Sequence, residues 1–262
     1  QPEFSRCVTF KLDWISIIFL RNLFLFFLLA SFFHIRLYIL KSQKGEFQYN
    51  PRPLGEGKKW HLGSQTRENM FWTLCSALPI WTAYEVFLMW GYANNLFLFP
   101  VSDWVNSPVY FCLLFLLIPV WQDFHLYFTH RFIHLKPLYK WVHFLHHRNV
   151  NTGPWSGLSM HPVEHIITFS TVLIHFIIPS HPIHFIFHVQ RTGLRTIRGH
   201  SGYDKLILNN KTKAGIPTPH YFHYLHHKFF ECNYGEVTIP LDRWFGSFHD
   251  GSKERHEKLF DK

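Results

Sequence analysis

The chain has 262 residues, a formal charge of +9 and 19 % aromatic residues, an aromatic share high for a soluble domain and usual where side chains face lipid. No nucleic-acid motif accompanies the positive charge, which suits an anionic leaflet and an acidic protein partner instead. The four cysteines, Cys7, Cys75, Cys112 and Cys232, are scattered, which excludes a disulfide framework or a zinc ribbon, and no repeat or linker divides the chain, so one domain over 1–262 is expected.

From Ile15 to Leu40 runs an apolar segment whose centre, Asn22 to Ile35, lacks Lys, Arg, Asp and Glu. Arg21 and Arg36 bracket that centre and are placed to snorkel, which predicts a first spanning helix of about 20 to 25 residues. The polar loop from Lys41 to Arg67 is rich in Lys and Arg and falls in the cytosol by the positive-inside rule. A second helix is predicted from Asn69 to about Gly91. Its one charge at depth, Glu85, is either a functional intramembrane carboxylate or a hydrogen-bonding tie to a neighbouring helix. The connection after it lacks Lys and Arg up to the third helix, which suits the far side of the membrane.

The third helix is predicted from Val109 to His134, about 39 Å at 1.5 Å per residue, so its apolar half spans while its histidine half emerges into the cytosol. His130 and His134 are four apart and share a face with Tyr127 and Asp123. Asp123 is expected to orient a ligand imidazole, the alternative being an ordinary ion pair; His125 lies off this face. Pro137 then breaks the helix, and His143, His146 and His147 follow with H-x-x-H-H spacing, which puts three imidazoles on one face. His223, His226 and His227 repeat that spacing. One such pair is weak evidence, but packing gives no reason for three clusters together, and eight imidazoles exceed what one ion takes. Two metal ions are implied.

His161, ahead of Pro162, is read as a ligand, as a group behind a ligand, or as a solvated loop histidine, with Glu164 in the following turn. Two short apolar runs over 166–190 are expected to form a membrane hairpin, with His175, His184 and His188 facing the bundle or substrate. Arg191, Arg195 and Arg198 precede GHSGYD. A short extended run is expected within 232–251, with Asp242 and Trp244 in packing and ion-pair roles, and the charged tail from Ser252 is expected in solvent. The whole reads as an all-α integral membrane bundle of about four spanning or hairpin helices, mainly transmembrane over 12–120, with a cytosolic histidine-rich cap over 121–250.

The triplets, HPVE at His161 to Glu164, GHSGYD at Gly199 to Asp204 and NYG…LDRWFG at Asn233 to Gly246 together resemble the fatty acid hydroxylase and sterol desaturase superfamily, from about Trp121 to Phe248. The resemblance implies a non-haem di-iron membrane enzyme that uses dioxygen and electrons to attack an unactivated C–H bond of a lipid. It adds His200 to the ligands, ahead of His220, although spacing alone does not single it out. The implied metal set is then His130, His134, His143, His146, His147, His161, His200, His223, His226 and His227, holding two Fe ions, or zinc in a purified form. Asp123, Tyr127, Glu164 and Asp204 are the groups expected behind them.

GPWSGLSMHPVEH and GHSGYD look closer to the sterol branch than to the sphingolipid 2-hydroxylase branch. Hydroxylation and desaturation both begin at one C–H bond and stay open, as do fatty acyl, sphingolipid and alkylglycerol substrates. A zinc-dependent membrane hydrolase with Glu164 as base, and a metal carrier or sensor using Glu85, are the readings from other classes. No fused haem domain or dinucleotide fingerprint is present, so electrons are expected from a separate, acidic protein meeting a basic cytosolic face. The expected location is the endoplasmic reticulum in a eukaryote, or the inner membrane in a bacterium.

Overall fold

Residues 2–236 and 238–260 are described by a computed structural model. A 3-10 turn, Phe4–Val8, leads into α1 (Leu12–His34), which runs on through a π-helical turn, Ile35–Ile39. Trp14, Ile18, Asn22, Phe26, Ala30 and Phe33 are buried, a three-to-four-residue repeat that lays one stripe of the helix on protein. The opposite side exposes Leu20, Phe24, Phe27 and Leu28. Leu12–Ile39 is long and apolar enough to cross a bilayer, and only 22 % of its most apolar window is buried, unlike the core helix of a soluble protein.

Helix α2 (Gln65–Trp72) passes through a π-helical turn, Thr73–Ala77, into α3 (Leu78–Ala93), so this helical run starts one turn before the expected Asn69. Gln65 holds its start in place, donating to Asn149 Oδ1 at 2.9 Å and to the Asn151 carbonyl at 2.7 Å. Glu85 turns out to tie helices together. It is buried, it pairs with Arg21, and Gln190 Nε2 donates to it at 3.0 Å. Arg21 therefore reaches inward to a carboxylate rather than snorkelling to an interface, because an unpaired buried carboxylate costs far more than a bent side chain.

Helix α4 (Pro108–Ile133) is the second helix that is long and apolar enough to span, and among the described residues no other passes that test. Of the four expected spanning or hairpin helices, two therefore qualify on length and composition. After α4 come α5 (Lys136–Leu138), a π-helical turn Tyr139–His143, and α6 (Phe144–His147). The segment expected as a membrane hairpin is α7 (Pro162–Phe169), a 3-10 stretch Ser170–Phe176, and α8 (Pro182–Gly199).

Two glycines let these pieces close up. A Cβ on Gly193 would lie 2.5 Å from the Trp81 ring, and one on Gly157 would lie 2.5 Å from the Thr196 carbonyl, so α8 seats against α3 on one side and the loop before α7 on the other.

The histidine-rich end is not purely helical. Strands β1 (Lys205–Asn209) and β2 (Ala214–Pro217) pair antiparallel, with Leu206 opposite Ile216. They are pinned to the loop after α1 by Gln43, which donates to the Lys205 carbonyl at 2.8 Å and accepts from Ile207 N at 2.9 Å. Helices α9 (Tyr221–Phe229), α10 (Leu241–Trp244) and α11 (Lys253–Phe260) complete the chain. The extended run expected over 232–251 does not form among the described residues, where turns and α10 stand instead; Val237 lies outside them.

Candidate metal centre

The C-terminal end of α4, the π-helical turn Tyr139–His143 with α6, the end of α8 and α9 bring nine imidazoles into two adjoining groups. His130, His134, His143, His147 and His226 form one, and His146, His200, His223 and His227 form the other, with one ring nitrogen from each member within 4.8 Å of its fellows. Each H-x-x-H-H triplet is therefore split. His143 and His147 join the first group while His146 joins the second, and His223 and His227 join the second while His226 crosses to the first. At about 100° per residue, positions four apart differ by about 40° while the position three along falls on the other side of the first, so each triplet divides between the two adjoining groups.

The ring nitrogens meet at coordination distances. His130 and His143 approach Nε2 to Nε2 at 3.0 Å, His147 and His226 at 3.0 Å, and His134 and His147 at 3.2 Å. In the second group His200 lies 3.0 Å from His223, 3.1 Å from His227 and 3.4 Å from His146. A cation about 2.1 Å from each nitrogen sets neighbouring ligands about 3.0 to 3.4 Å apart in octahedral or tetrahedral geometry.

The outer nitrogens decide what those contacts are. His146 Nδ1 donates to the Ser159 carbonyl at 3.3 Å and His200 Nδ1 to the Thr196 carbonyl at 3.1 Å. A neutral imidazole has one N–H, so both Nε2 atoms of this pair are bare lone pairs facing each other, which no hydrogen bond explains. His130 and His226 are set the same way, Nδ1 donating to the Tyr234 carbonyl at 2.8 Å and the Cys232 carbonyl at 2.6 Å. Converging lone pairs repel each other unless a cation lies between them. The donor set thus fits two metal ions held by imidazole alone, a set that suits iron, zinc, copper or nickel.

Burial tunes the rings the same way. His143, His146, His147, His223, His226 and His227 are held well below the ordinary histidine pKa, first by burial and then by neighbouring imidazoles. Burial likewise lowers His134 to about 2 and His200 to about 4. Neutral imidazoles are the form a metal binds.

The groups behind the ligands are partly those expected. Glu164 Oε1 meets His143 Nδ1 at 2.7 Å, the carboxylate–imidazole contact that fixes a ligand ring. Asp242, expected in packing, has a more specific part. It accepts from Tyr234 N at 2.9 Å and Gly235 N at 2.8 Å and so aims the Tyr234 carbonyl at His130. Asn233, at φ +52°, a conformation Asn tolerates, bonds the Phe222 and His249 carbonyls and presents the adjoining Cys232 carbonyl to His226.

Other expectations need correction. Asp123 orients no clustered imidazole; it accepts from Thr238 N at 3.1 Å and pairs with Arg195 at 3.4 Å, the ion-pair alternative. Tyr127 is buried and its hydroxyl accepts from Arg131 at 2.7 Å. His161 stands outside both groups, capping α7 by accepting from Val163 N at 3.3 Å, because the N–H groups of a first helical turn have no acceptor within the helix. Asp204 bonds the Tyr49 hydroxyl at 3.0 Å, on the surface. Trp244 is exposed.

A cavity opens beside the two groups. Leu126, Ile133, Met160 and Ile167 give it apolar walls, and His130, His143, His146, His200 and His223 line it with Thr129, Thr168, Thr192, Thr196, Glu164, Arg195 and Glu236. Glu236 was not singled out by sequence. Burial pushes its carboxyl pKa up, but Arg195 and then His220 outweigh that and leave it below the ordinary range.

A sequence model of the fatty acid hydroxylase family matches residues 115–247, about half of the 262-residue chain and all nine clustered histidines. The chain is 27 % identical over 165 residues to the Delta(7)-sterol-C5(6)-desaturase of Nicotiana tabacum, covering 61 % of this chain and 57 % of that protein. It is 34 % identical over 150 residues to the putative Delta(7)-sterol-C5(6)-desaturase 2 of Arabidopsis thaliana, covering 55 % and 50 %. With the Delta(7)-sterol 5(6)-desaturase of Saccharomyces cerevisiae it shares 28 % over 140 residues, covering 53 % and 36 %. The chain spans about half or less of the length of these curated relatives, and no solved structure matches it. The matched span, which takes in every histidine of both groups, makes this chain a member of the fatty acid hydroxylase family.

Proposed function

We propose that this chain is a membrane-bound lipid oxidoreductase that holds two iron ions and uses dioxygen to desaturate or hydroxylate a sterol-type lipid. The observation that carries this reading is the pair of adjoining imidazole groups with inward lone pairs, opening on an apolar-walled cavity. The first ion would be held by His130, His134, His143, His147 and His226, and the second by His146, His200, His223 and His227. Bound iron supplies the redox chemistry that activates dioxygen, which zinc at the same ligands does not. The named sterol desaturases among the relatives support the substrate class.

In desaturation the lipid loses two hydrogens, two electrons and two protons come from outside, and dioxygen leaves as two waters. The chain's own residues prepare that exchange. Leu126, Ile133, Met160 and Ile167 surround an alkyl carbon and exclude water, while Glu164 and the Tyr234, Cys232, Ser159 and Thr196 carbonyls fix the rings.

In this reading 1–262 is one multi-pass domain with α1, the α2–α3 run and α4 crossing the bilayer and the histidine end facing the cytosol, at the endoplasmic reticulum in a eukaryote. A separate, acidic donor protein delivers electrons to that basic face. The test is to purify the protein anaerobically, load it with iron and supply a Δ7-sterol, a reducing donor and ¹⁸O₂. The expected result is oxygen-dependent loss of two sterol hydrogens or entry of one ¹⁸O; turnover that persists without dioxygen would reject the proposal.

A further inference from the structure

Besides its apolar walls, its threonines and Glu164 behind His143, the cavity beside the histidines has one place where an arginine and a carboxylate face it together. There Arg195 Nη1 lies 3.5 Å from Glu236 Oε1 and 3.4 Å from Asp123 Oδ1, and His220 Nε2 lies 3.4 Å from Glu236 Oε2. These separations exceed the roughly 2.7 to 2.9 Å of a well-made charge-assisted hydrogen bond, so the Arg195–Glu236 pair is loosely closed. Both side chains line the cavity that His130, His143, His146, His200 and His223 also line. A guanidinium only donates and a carboxylate only accepts, whereas a hydroxyl does both. An alcohol between them would satisfy each at once.

The position of this pair matters as much as its chemistry. An apolar lipid with its polar group far from the reacting carbon would need the polar contact far from the metal ligands, yet here the two line one cavity. In a sterol the 3-hydroxyl is two carbons from C5. Resting on the sterol reading above, we propose that Arg195 and Glu236 form a hydroxyl-binding subsite that seats the 3-hydroxyl of the lipid and so sets which ring carbons face the metal ions. Arg195 donates to the hydroxyl oxygen and Glu236 accepts a hydrogen bond from the hydroxyl O–H. Asp123, itself held by Thr238 N at 3.1 Å, keeps Arg195 aimed into the cavity. These are positioning and specificity residues, and they hold no metal.

Two probes separate the subsite from the substrate class: a Δ7-sterol with a free 3-hydroxyl and its 3-O-methyl ether, which can accept but not donate. Binding is measured on the full chain loaded with redox-silent zinc, and turnover on the iron-loaded protein. Wild type is expected to bind and turn over the free alcohol at least tenfold better than the ether. In Glu236→Ala the ratio should fall to near one, and Arg195→Met should weaken both probes alike, each with about two metal ions per chain retained. Glu236→Gln, which can still accept a hydrogen bond, should keep part of the preference. If Arg195→Met fails to fold because Asp123 loses its partner, the two Glu236 variants still give the readout. Equal handling of both probes by wild type, or an undiminished preference in Glu236→Ala, overturns the subsite while leaving the sterol oxidoreductase intact. Failure of wild type to bind or turn over either sterol overturns both.

Discussion

Two sets of buried histidines in this molecule have the same residue type and similar burial but opposite wiring. In the bundle, His175 Nδ1 meets the Ser180 hydroxyl at 2.7 Å, His175 Nε2 meets His188 Nδ1 at 3.0 Å, and His188 Nε2 meets the Thr171 hydroxyl at 3.3 Å. His184 is satisfied by the Phe111 carbonyl at 2.9 Å and by His181 N at 3.0 Å. Every ring nitrogen there has a partner able to donate or accept. In the cap, the outer nitrogens of His130, His146, His200 and His226 go to carbonyls and their inner nitrogens face one another. Burial alone therefore does not mark a ligand. What marks it is the direction of the lone pair left after the outer hydrogen bond is made.

The sharpest way to break the comparison is to remove one ring from each set. His146→Ala or His226→Ala should cost at least a hundredfold in turnover and most of the metal from the affected group, read by metal analysis beside the activity assay. His175→Gln, which keeps a polar group facing Ser180, should leave metal content unchanged and lower stability by about 1 to 3 kcal/mol. Metal loss in His175→Gln would erase the distinction.

Metal removal comes next. Stripping the ions leaves neutral, buried rings whose folded pKa values are depressed, about 4 for His200 and about 2 for His134. A depressed pKa means the unfolded chain takes up protons first. The stability of metal-free protein should thus be full above about pH 6.5, the unfolded histidine value, and should fall as pH drops from there toward the folded values. Denaturant unfolding of chelated protein at pH 7.5 and pH 5 checks this; equal stability at both would contradict it.

Glu164→Gln tests the carboxylate behind His143 and should weaken metal binding about 10- to 100-fold while the fold persists, measured by competition with a chelator. The smallest effect is expected at His161→Ala. As the cap of α7 and no member of either group, it should cost about 1 kcal/mol in stability and leave both metals in place.

Part of this contrast was legible in the sequence. Helices α1 and α4 followed from uninterrupted apolar runs, and the ligand-bearing segments from H-x-x-H-H, a local pattern that survives any tertiary detail. The division of each triplet between two groups was not legible, because it depends on how α6 and α9 face one another. Asp123 was misassigned for a similar reason. On its own helix it aligns with His130, but Arg195 and Thr238 N, distant in sequence, reach it first. The carbonyls of Cys232 and Tyr234 carry no side-chain signature, so what fixes His226 and His130 was hidden, although Asn233 and Asp242 lie within the motif that shapes that turn. The strands β1 and β2 were missed because runs of five and four residues carry too little alternation to stand out.

The central claim is that two ions occupy two distinct imidazole groups, and metal content of single-group variants tests it most directly. Iron-loaded wild type should hold about two ions per chain, and His134→Ala combined with His226→Ala should leave about one, as should His223→Ala combined with His227→Ala. A wild-type content of one ion per chain, or loss of both ions when either group alone is mutated, would contradict it.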